Sequence, residues 1–241
     1  MRLISSAEWQ QIGDESHVWH AALEREENII SQLESTLSLE EKARADRFHF
    51  AKDRNRFVVA RGLLRELLGA YLQHPPEDLE FSYGQHGKPA LSGAHRSSGL
   101  CFNLSHSAGL AVYAIARERN LGIDVEHIRP DSAGDDIAER YFSAREVSEL
   151  RSLPPHERVD GFFRCWTRKE AYLKATGMGL QIPLDSFAVS LALGQPAEFL
   201  SGVDSRWHLA AFNPAESYVA AVAYDGAPCS IKYFSVDTYL K

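Results

Sequence analysis

The spacing of hydrophobic residues predicts two helices in the first third of the chain. Residues 38–41 read S-x-x-E, the pattern of a capping box, and they predict a helix that begins there and runs toward Phe48. Between residues 53 and 72, apolar side chains recur every three or four positions, which is the period of a helix with one buried face. Gly-Lys-Pro at 87–89 is expected to break any regular element there.

Short apolar runs follow from residue 100 and predict β-strands. The runs CFNLSH, LAVYAIA and LGIDVE are separated by turn residues at 107–109 and 117–120. Because the runs are short, apolar and closely spaced, they predict an antiparallel meander of three consecutive strands.

The second half of the chain repeats this order of helices followed by strands. Helical patterns cover 132–142, 144–152 and 157–176, and strand patterns return at 187–191, 207–212, 218–224 and 230–236. We therefore expect an α+β fold made of two similar lobes, one spanning residues 1–120 and the other residues 121–241.

Composition and charge narrow the class of protein. The 241 residues include 26 Lys and Arg against 33 Asp and Glu, a net charge of −7, and 44% are hydrophobic. These values are typical of a globular protein with a real core, and the net negative charge argues against general nucleic-acid binding.

The three cysteines are far apart and odd in number, which does not suggest a disulfide framework or a zinc ribbon. The sequence shows neither a signal-peptide pattern nor a membrane-spanning run, so we expect a cytoplasmic protein without a membrane partner.

One stretch has the opposite charge to the rest of the chain. Residues 42–65 contain eight basic side chains and two acidic ones, which makes the stretch locally +6. Such a run can be the solvated face of a helix, or it can bind a polyanionic small molecule. The sequence has no Walker loop and no G-x-G-x-x-G motif. Any phosphate group would therefore be bound by scattered Arg, Lys and His side chains.

Two carboxylates share one face of a predicted strand. In Gly122-Ile123-Asp124-Val125-Glu126, the strand period of two places Asp124 and Glu126 on one side. Neighbouring carboxylates repel each other unless a cation lies between them, and a hard divalent cation such as Mg²⁺ would fill that role. An acidic strand face exposed to water explains the same alternation. Both interpretations stay open from these residues alone.

A further carboxylate interrupts the apolar stripe of the helix predicted over 157–176. On a helical projection, Glu170 falls inside the stripe, and Lys174 lies one turn further on. An ordinary surface Glu–Lys pair has the same spacing. A carboxylate within an apolar stripe is costly without a charged partner or a metal, so its position favours a functional role for Glu170.

Ser105 and His106 are adjacent polar residues at the end of a predicted strand. Because adjacent strand residues point to opposite faces, His106 cannot easily take a proton from Ser105, and no G-x-S-x-G motif surrounds the pair. The pair is a poor candidate for a serine-hydrolase site. It can hydrogen-bond a ligand, or it can be an ordinary turn.

Three motifs occur in a fixed order along the chain. They are His86-Gly87-Lys88-Pro89 with Asn103-Leu104-Ser105-His106 downstream, Gly122-Ile123-Asp124-Val125-Glu126, and the W-x-x-K-E-A-x-x-K sequence that ends at Lys174. Each motif is short, but their order and spacing are specific. Together they resemble the 4'-phosphopantetheinyl transferase superfamily, in its long, single-chain, surfactin-synthetase-activating type. The resemblance covers roughly residues 38–191.

This resemblance implies a fold and an activity. It implies two α+β lobes related by a pseudo-twofold axis, with coenzyme A in the cleft between them. It also implies Mg²⁺-dependent transfer of the 4'-phosphopantetheine group of coenzyme A to a serine of an apo acyl or peptidyl carrier protein, with release of adenosine 3',5'-bisphosphate. We expect the enzyme to be a monomer. The resemblance does not identify the carrier, which can serve fatty-acid, polyketide or nonribosomal-peptide synthesis.

The resemblance further implies roles for the charged residues. Asp124, Glu126 and Glu170 would hold Mg²⁺ against the pyrophosphate of coenzyme A. Lys174 would neutralise the same phosphates. Glu170 would also take the proton of the carrier serine, directly or through a metal-bound water.

The implied contacts with coenzyme A come from the first half of the chain and from Lys174. Arg44 would bind the phosphate end, Gly87 and Lys88 would lie beside the adenine, and Asn103, Ser105 and His106 would lie near the 3'-phosphate. Some relatives carry a Lys where this chain has Glu41. The candidates to replace that Lys are Lys42, Arg56 and Arg61.

Two other classes of protein compete with this interpretation. One is a carrier-binding protein that keeps the fold without catalysis, and the complete set of carboxylates argues against it. The other is an RNA-binding module that uses residues 42–65, but no aromatic RNP-like motif accompanies the arginines.

Overall fold

The computed structural model describes residues 11–129 and 135–240 of the chain. It is a mixed structure of helices and strands, which confirms the expected α+β class. The helices are α1 Glu27–Ser35, α2 Leu39–Ala45, α3 Ala51–Leu72, α4 Asp135–Tyr141, α5 Ala144–Ser152 and α6 Arg158–Thr176. The strands are β1 Ser16–Ala22, β2 Phe81–Tyr83, β3 Pro89–Leu91, β4 Leu100–Ser107, β5 Leu110–Arg117, β6 Leu121–His127, β7 Ala188–Val189, β8 Phe199–Ser201, β9 Trp207–Phe212, β10 Tyr218–Asp225 and β11 Ile231–Ser235.

The first sheet has the strand order β11-β1-β5-β4 and is covered by α3. β5 pairs antiparallel with both β1 and β4. The side chains of Trp19, Leu64 and Tyr113 are fully buried in the core between sheet and helix. The apolar positions that recur along α3 provide the helical side of this core. The expectation of one buried face is wrong, because every residue from 58 to 71 is buried and the helix is enclosed on all sides.

The second sheet has the order β6-β10-β9 and is covered by α6. All of its pairs are antiparallel. Its core contains Phe163 and Leu173 from the helix and Ala221 from the central strand. The strands and helix of this half therefore repeat the layering of the first half.

A third apolar cluster joins the two sheets. Val112 and Ala114 of β5 meet Ile123 and Val125 of β6 in this cluster, and all four side chains are fully buried. Since side chains alternate along a strand, the neighbours of Ile123 and Val125 in β6 face the opposite side. This register fixes where the acidic residues of β6 lie.

The predicted meander is wrong at its third strand. β4 and β5 form a hairpin, but β6 pairs with β10 and not with β5. At the entrance to β6, Asp225 accepts hydrogen bonds from the backbone N–H and the side-chain amide of Asn120, both at 2.8 Å. Because β10 is about 100 residues further along the chain, local spacing could not reveal this pairing.

Several elements agree closely with the sequence prediction. The capping box is present, with Glu41 N donating to Ser38 Oγ at 3.3 Å and Ser38 N donating to Glu41 Oε2 at 2.9 Å. The helices α3 and α5 and the strand β9 lie where their patterns place them. Part of the helix predicted over 132–142 falls outside the described residues. The division into lobes at residue 120 stays a prediction, and β11 pairs with β1 in the first sheet although it belongs to the second half of the sequence.

Within residues 11–129 and 135–240, no helix is both long and apolar enough to cross a membrane.

Candidate active site

The site is built where α6 crosses β6 in direct contact. Gly122 makes this approach possible, because a Cβ at that position would overlap the backbone N of Ala175 and the backbone O of Ala171. The crossing brings Lys174, near the end of the helix, to the polar face of the strand. A glycine in the strand thus determines which helical residues reach Asp124.

Lys174 connects the helix to two strands. Its Nζ donates to Asp124 Oδ1 at 2.7 Å and to Ser105 Oγ at 2.8 Å. Ser105 Oγ in turn donates to Asp124 Oδ1 at 2.9 Å. Asp124 is only 4% exposed, and its second oxygen, Oδ2, is buried without a hydrogen-bond partner. An unpartnered carboxylate oxygen of this kind is costly unless a donor or cation joins it.

Glu126 and Glu170 extend the acidic group. Glu126 Oε2 accepts a hydrogen bond from Ser107 Oγ at 2.7 Å. Burial raises the pKa of Glu126 and of Glu170, the charge of Asp124 raises both further, and Lys174 acts in the opposite direction. The carboxylates are therefore close enough to repel one another and to favour a cation.

The three carboxylates expected to hold a metal ion do not converge on one point. In the part of the chain that the structure describes, no group of three or more His, Cys, Asp or Glu side chains is arranged to hold a metal ion. The ammonium group of Lys174 takes the position beside Asp124 Oδ1.

A cavity of about 1070 Å³ opens in front of this group. Every residue expected to contact coenzyme A lines it, together with Glu170: Arg44, Gly87, Lys88, Asn103, Ser105, His106 and Lys174. Asp124 and Glu126 are not among its lining residues, and Asp124 is reached from the cavity through Ser105 and Lys174, which bond to it. Residues distant in sequence thus meet in one cavity, and their contacts with coenzyme A stay a prediction.

The wall formed by α2, α3 and the turn between them carries three arginines, Arg44, Arg47 and Arg61, and two glutamates, Glu40 and Glu41. Arg44 is exposed and its guanidinium lies 5.2 Å from the centre of the Phe57 ring. The pKa of His106 is lowered by burial and then by the charges of Lys174, Arg44 and Arg56. Arg47, which the motifs do not single out, also lines the cavity. These charges suit an anionic ligand.

Behind this wall lies a buried ion network that the sequence analysis missed. Glu41 is 5% exposed and accepts from Arg61 and, at 2.6 Å, from Arg65. Burial raises the pKa of Glu41, but the two arginines outweigh that effect and hold it below its usual value. Arg61 also donates to Tyr83 Oη at 2.8 Å and lines the cavity. Of the proposed replacements for the absent Lys, Arg61 is at the cavity and Arg56 is paired with Glu24.

Comparison with known proteins decides the family. A family model for the 4'-phosphopantetheinyl transferase superfamily matches residues 120–223, and one for the N-terminal part of 4'-phosphopantetheinyl transferases matches residues 19–118. The 4'-phosphopantetheinyl transferase HetI of Nostoc sp. is 43% identical over 215 residues, which cover 89% of this chain and 90% of that protein. The chain belongs to the 4'-phosphopantetheinyl transferase superfamily.

A second relative, from Bacillus subtilis, shows the same relationship in its sequence. The 4'-phosphopantetheinyl transferase Sfp of Bacillus subtilis is 35% identical over 172 residues, covering 70% of this chain and 72% of its own. Among solved structures, the holo-[acyl-carrier-protein] synthase of Thermotoga maritima overlaps 45% of this chain and 64% of its own, with a TM-score of 0.36 and 18% identity.

In this transferase, the third motif contains two lysines with different surroundings. Lys174 faces the cavity, whereas Lys169 is fully buried on the other side of α6. Lys169 Nζ lies 2.8 Å from Glu146 Oε2 and donates to the carbonyl oxygens of Leu184 and Phe187, both at 2.6 Å. The sequence analysis assigned no role to Lys169. Its position could have been inferred, because five residues at 100° per residue place Lys169 140° from Lys174, on a different face of the helix.

Proposed function

We propose that this protein transfers the 4'-phosphopantetheine group of coenzyme A to a serine of an apo acyl or peptidyl carrier protein. The observation that carries the proposal is the bridge from Lys174 to Asp124 and Ser105 at the wall of a large basic cavity. Membership of the transferase superfamily supports it.

The cavity suits coenzyme A in charge and size. Its volume is at the upper end of the range of ligand pockets. Arg44 and His106 offer cationic and hydrogen-bonding groups for phosphates. Asn103 joins β4 to β6 by accepting a hydrogen bond from Ile123 N at 2.9 Å. Gly87 and Lys88 supply a further part of the wall.

The chemistry of the donor set suits a magnesium ion, because carboxylate oxygens are ligands that Mg²⁺ prefers, although the three side chains do not converge on one point in the described residues. Asp124, Glu126 and Glu170 would hold it, and the unpartnered Asp124 Oδ2 and the raised pKa values of the two glutamates are the observations that support this assignment. Such an ion, when bound, lowers the negative charge of the pyrophosphate group.

Glu170 and Lys174 have separate roles in the transfer of the phosphopantetheine group. The serine oxygen of the carrier forms a bond to the β-phosphorus of coenzyme A, and the bond from that phosphorus to the bridging oxygen breaks. Adenosine 3',5'-bisphosphate leaves with the bridging oxygen. Glu170 takes the serine proton, because it lines the cavity beside Lys174 and carries a carboxylate that can accept a proton. Lys174 neutralises charge on the phosphates.

The proposal also covers the protein partner, the location of the enzyme, its oligomeric state and the arrangement of its two halves. The apo carrier protein is the protein partner, the enzyme acts as a cytoplasmic monomer, and the two sheet-and-helix halves form lobes about a pseudo-twofold axis. The two similar layered halves and the cavity that residues of both halves line support this arrangement.

Mass spectrometry of a carrier protein tests the proposal. After incubation with coenzyme A, Mg²⁺ and an apo carrier, the carrier should gain the mass of phosphopantetheine.

Asp124→Ala and Glu170→Ala should abolish transfer while the protein stays folded, because each removes a carboxylate from the cation-binding group. Glu77→Ala, which removes an exposed carboxylate outside the cavity, is the matched control. Near-normal transfer by either site variant would contradict the metal assignment, and an unchanged carrier with the wild type would contradict the function.

A further inference from the structure

The side chain of Lys88 passes through the wall of the cavity and ends against the backbone of the opposite half of the molecule. Its Nζ donates to Leu121 O and to Ala175 O, both at 2.9 Å. Leu121 begins β6 and Ala175 lies in the last turn of α6. One ammonium group therefore holds both elements at the place where they cross.

The loop that carries Lys88 also rests on the turn after α6. Gly177 ends the helix with φ +69°, and a Cβ there would lie 3.5 Å from Lys88 Cδ. A Cβ on Gly179 would lie 3.4 Å from the ring of His86. The segment His86-Gly87-Lys88 and the turn 177–179 thus pack against each other along one edge of the cavity.

The ammonium group of Lys88 is surrounded by protein groups, unlike an ammonium group that is free to bind a phosphate. Burial lowers the pKa of Lys88 to about 8, while the charges of Asp225 and Cys101 act in the opposite direction. A cation at the C-terminal end of a helix is also stabilised by the exposed carbonyl groups there. The charge of Lys88 therefore interacts with the backbone carbonyl groups of Leu121 and Ala175.

We propose that Lys88 is a positioning residue that sets the end of α6, and with it Lys174, relative to Asp124. The proposal rests on the proposed function only in taking coenzyme A as the ligand of the cavity. Gly87 and Lys88 line the cavity from the same loop, so a ligand that contacts this loop is coupled through the Lys88 side chain to the crossing of α6 and β6.

Hydrogen exchange of the ligand-free protein tests the positioning role directly. Lys88→Met removes the charge and both donors and keeps a similar length. Amides at the end of α6 and the start of β6 should exchange faster in this variant, whereas Arg44→Met, which removes a cation from the other wall, should leave them unchanged. Unchanged exchange in Lys88→Met would overturn the proposal. If Lys88→Met does not fold, Lys88→Gln takes its place, because glutamine keeps a donor without the charge.

Calorimetric binding of coenzyme A and of 3'-dephospho-coenzyme A separates positioning from phosphate contact. We expect Lys88→Met to raise both dissociation constants by the same factor, about 3- to 10-fold, because the lost hydrogen bonds act on the ligand only through the wall. Arg44→Met should weaken coenzyme A selectively. A loss of selectivity in Lys88→Met that matches Arg44→Met would show that Lys88 contacts the phosphate and would overturn the proposal. A wild type that binds neither ligand would contradict the proposed function, and hydrogen exchange would still decide the role of Lys88.

Discussion

At the scale of single residues, one helical motif supplies charged groups for two separate purposes. Glu170 and Lys174 line the cavity, whereas Lys169 is buried in the core of the second half. A buried ammonium group is tolerated only when its donors and charge are satisfied. Glu146 provides the charge, and its Oε1 also accepts from Val189 N at 2.8 Å, so the pair joins α5, α6 and β7.

Removing the charge of Glu146 should therefore destabilise the whole protein. Glu146→Gln leaves Lys169 as an uncompensated buried cation, and we expect the free energy of unfolding to fall by about 3 kcal/mol or more. Chemical denaturation measures the loss. Glu139→Gln breaks the exposed ion pair with Arg151 and should have little effect. Equal stability of the two variants would show that the buried pair is not required.

At the scale of elements, the contact of α6 with β6 depends on one missing side chain. Gly122→Ala places a methyl group into the backbone of α6. We expect a loss of about 1–3 kcal/mol in the free energy of unfolding, because the helix must move away from the strand. Transfer activity should fall as well, since Lys174 moves with the helix. Gly13→Ala, where the new methyl group would meet only the Glu15 carboxylate at 3.5 Å, is the control. A Gly122→Ala variant as stable and active as this control would contradict the close crossing.

The elements that could be predicted from sequence are those with a local pattern. The helix α3 has a regular apolar period, and α2 has a capping box. β1 was missed because its side chains are mostly buried on both faces, so its sequence SHVWHAA lacks the alternation of a half-exposed strand. β6 was predicted, but its partner β10 was not, because the pairing joins segments about 100 residues apart.

In the candidate site too, residues that belong to a local sequence pattern could be predicted, and contacts between distant segments could not. Asp124 and Glu126 follow from the strand period, and Glu170 from its place in an apolar stripe. The network of Glu41 with Arg61 and Arg65 was not predicted, because its members lie 20 and 24 residues apart and no pattern marks an ion pair at that distance. The position of Lys88 Nζ depends on the crossing of two later elements and could not be read from its motif.

At the scale of the whole molecule, charge is distributed unevenly. The chain carries a net charge of −7, yet the cavity is lined by five cationic side chains and three acidic ones. The cationic ones are Arg44, Arg47, Arg61, Lys88 and Lys174, and the acidic ones are Glu40, Glu41 and Glu170. A small anion that enters the cavity meets a locally positive field, whereas a large acidic protein meets a molecule of the same sign. The two substrates should therefore respond to salt in different ways.

Steady-state kinetics at increasing ionic strength test this difference. At saturating coenzyme A, the KM for an acidic carrier should stay unchanged or decrease between low and moderate salt, because salt screens the repulsion between the proteins. The KM for coenzyme A should rise in the same range. A carrier KM that rises several-fold would show that basic side chains dominate docking.

The pairing of β11 with β1 has a consequence for synthesis on the ribosome. The first sheet contains residues 16–22 at one end of the sequence and 231–235 at the other, in parallel register. Until the last of these residues leaves the exit tunnel, one edge of β1 has no partner. An unpaired edge can accept a strand from a neighbouring chain. Between the synthesis of β5, which pairs with the other edge of β1, and that of β11, the nascent protein is therefore exposed to aggregation through this edge, and a chaperone that covers the edge would act in that interval.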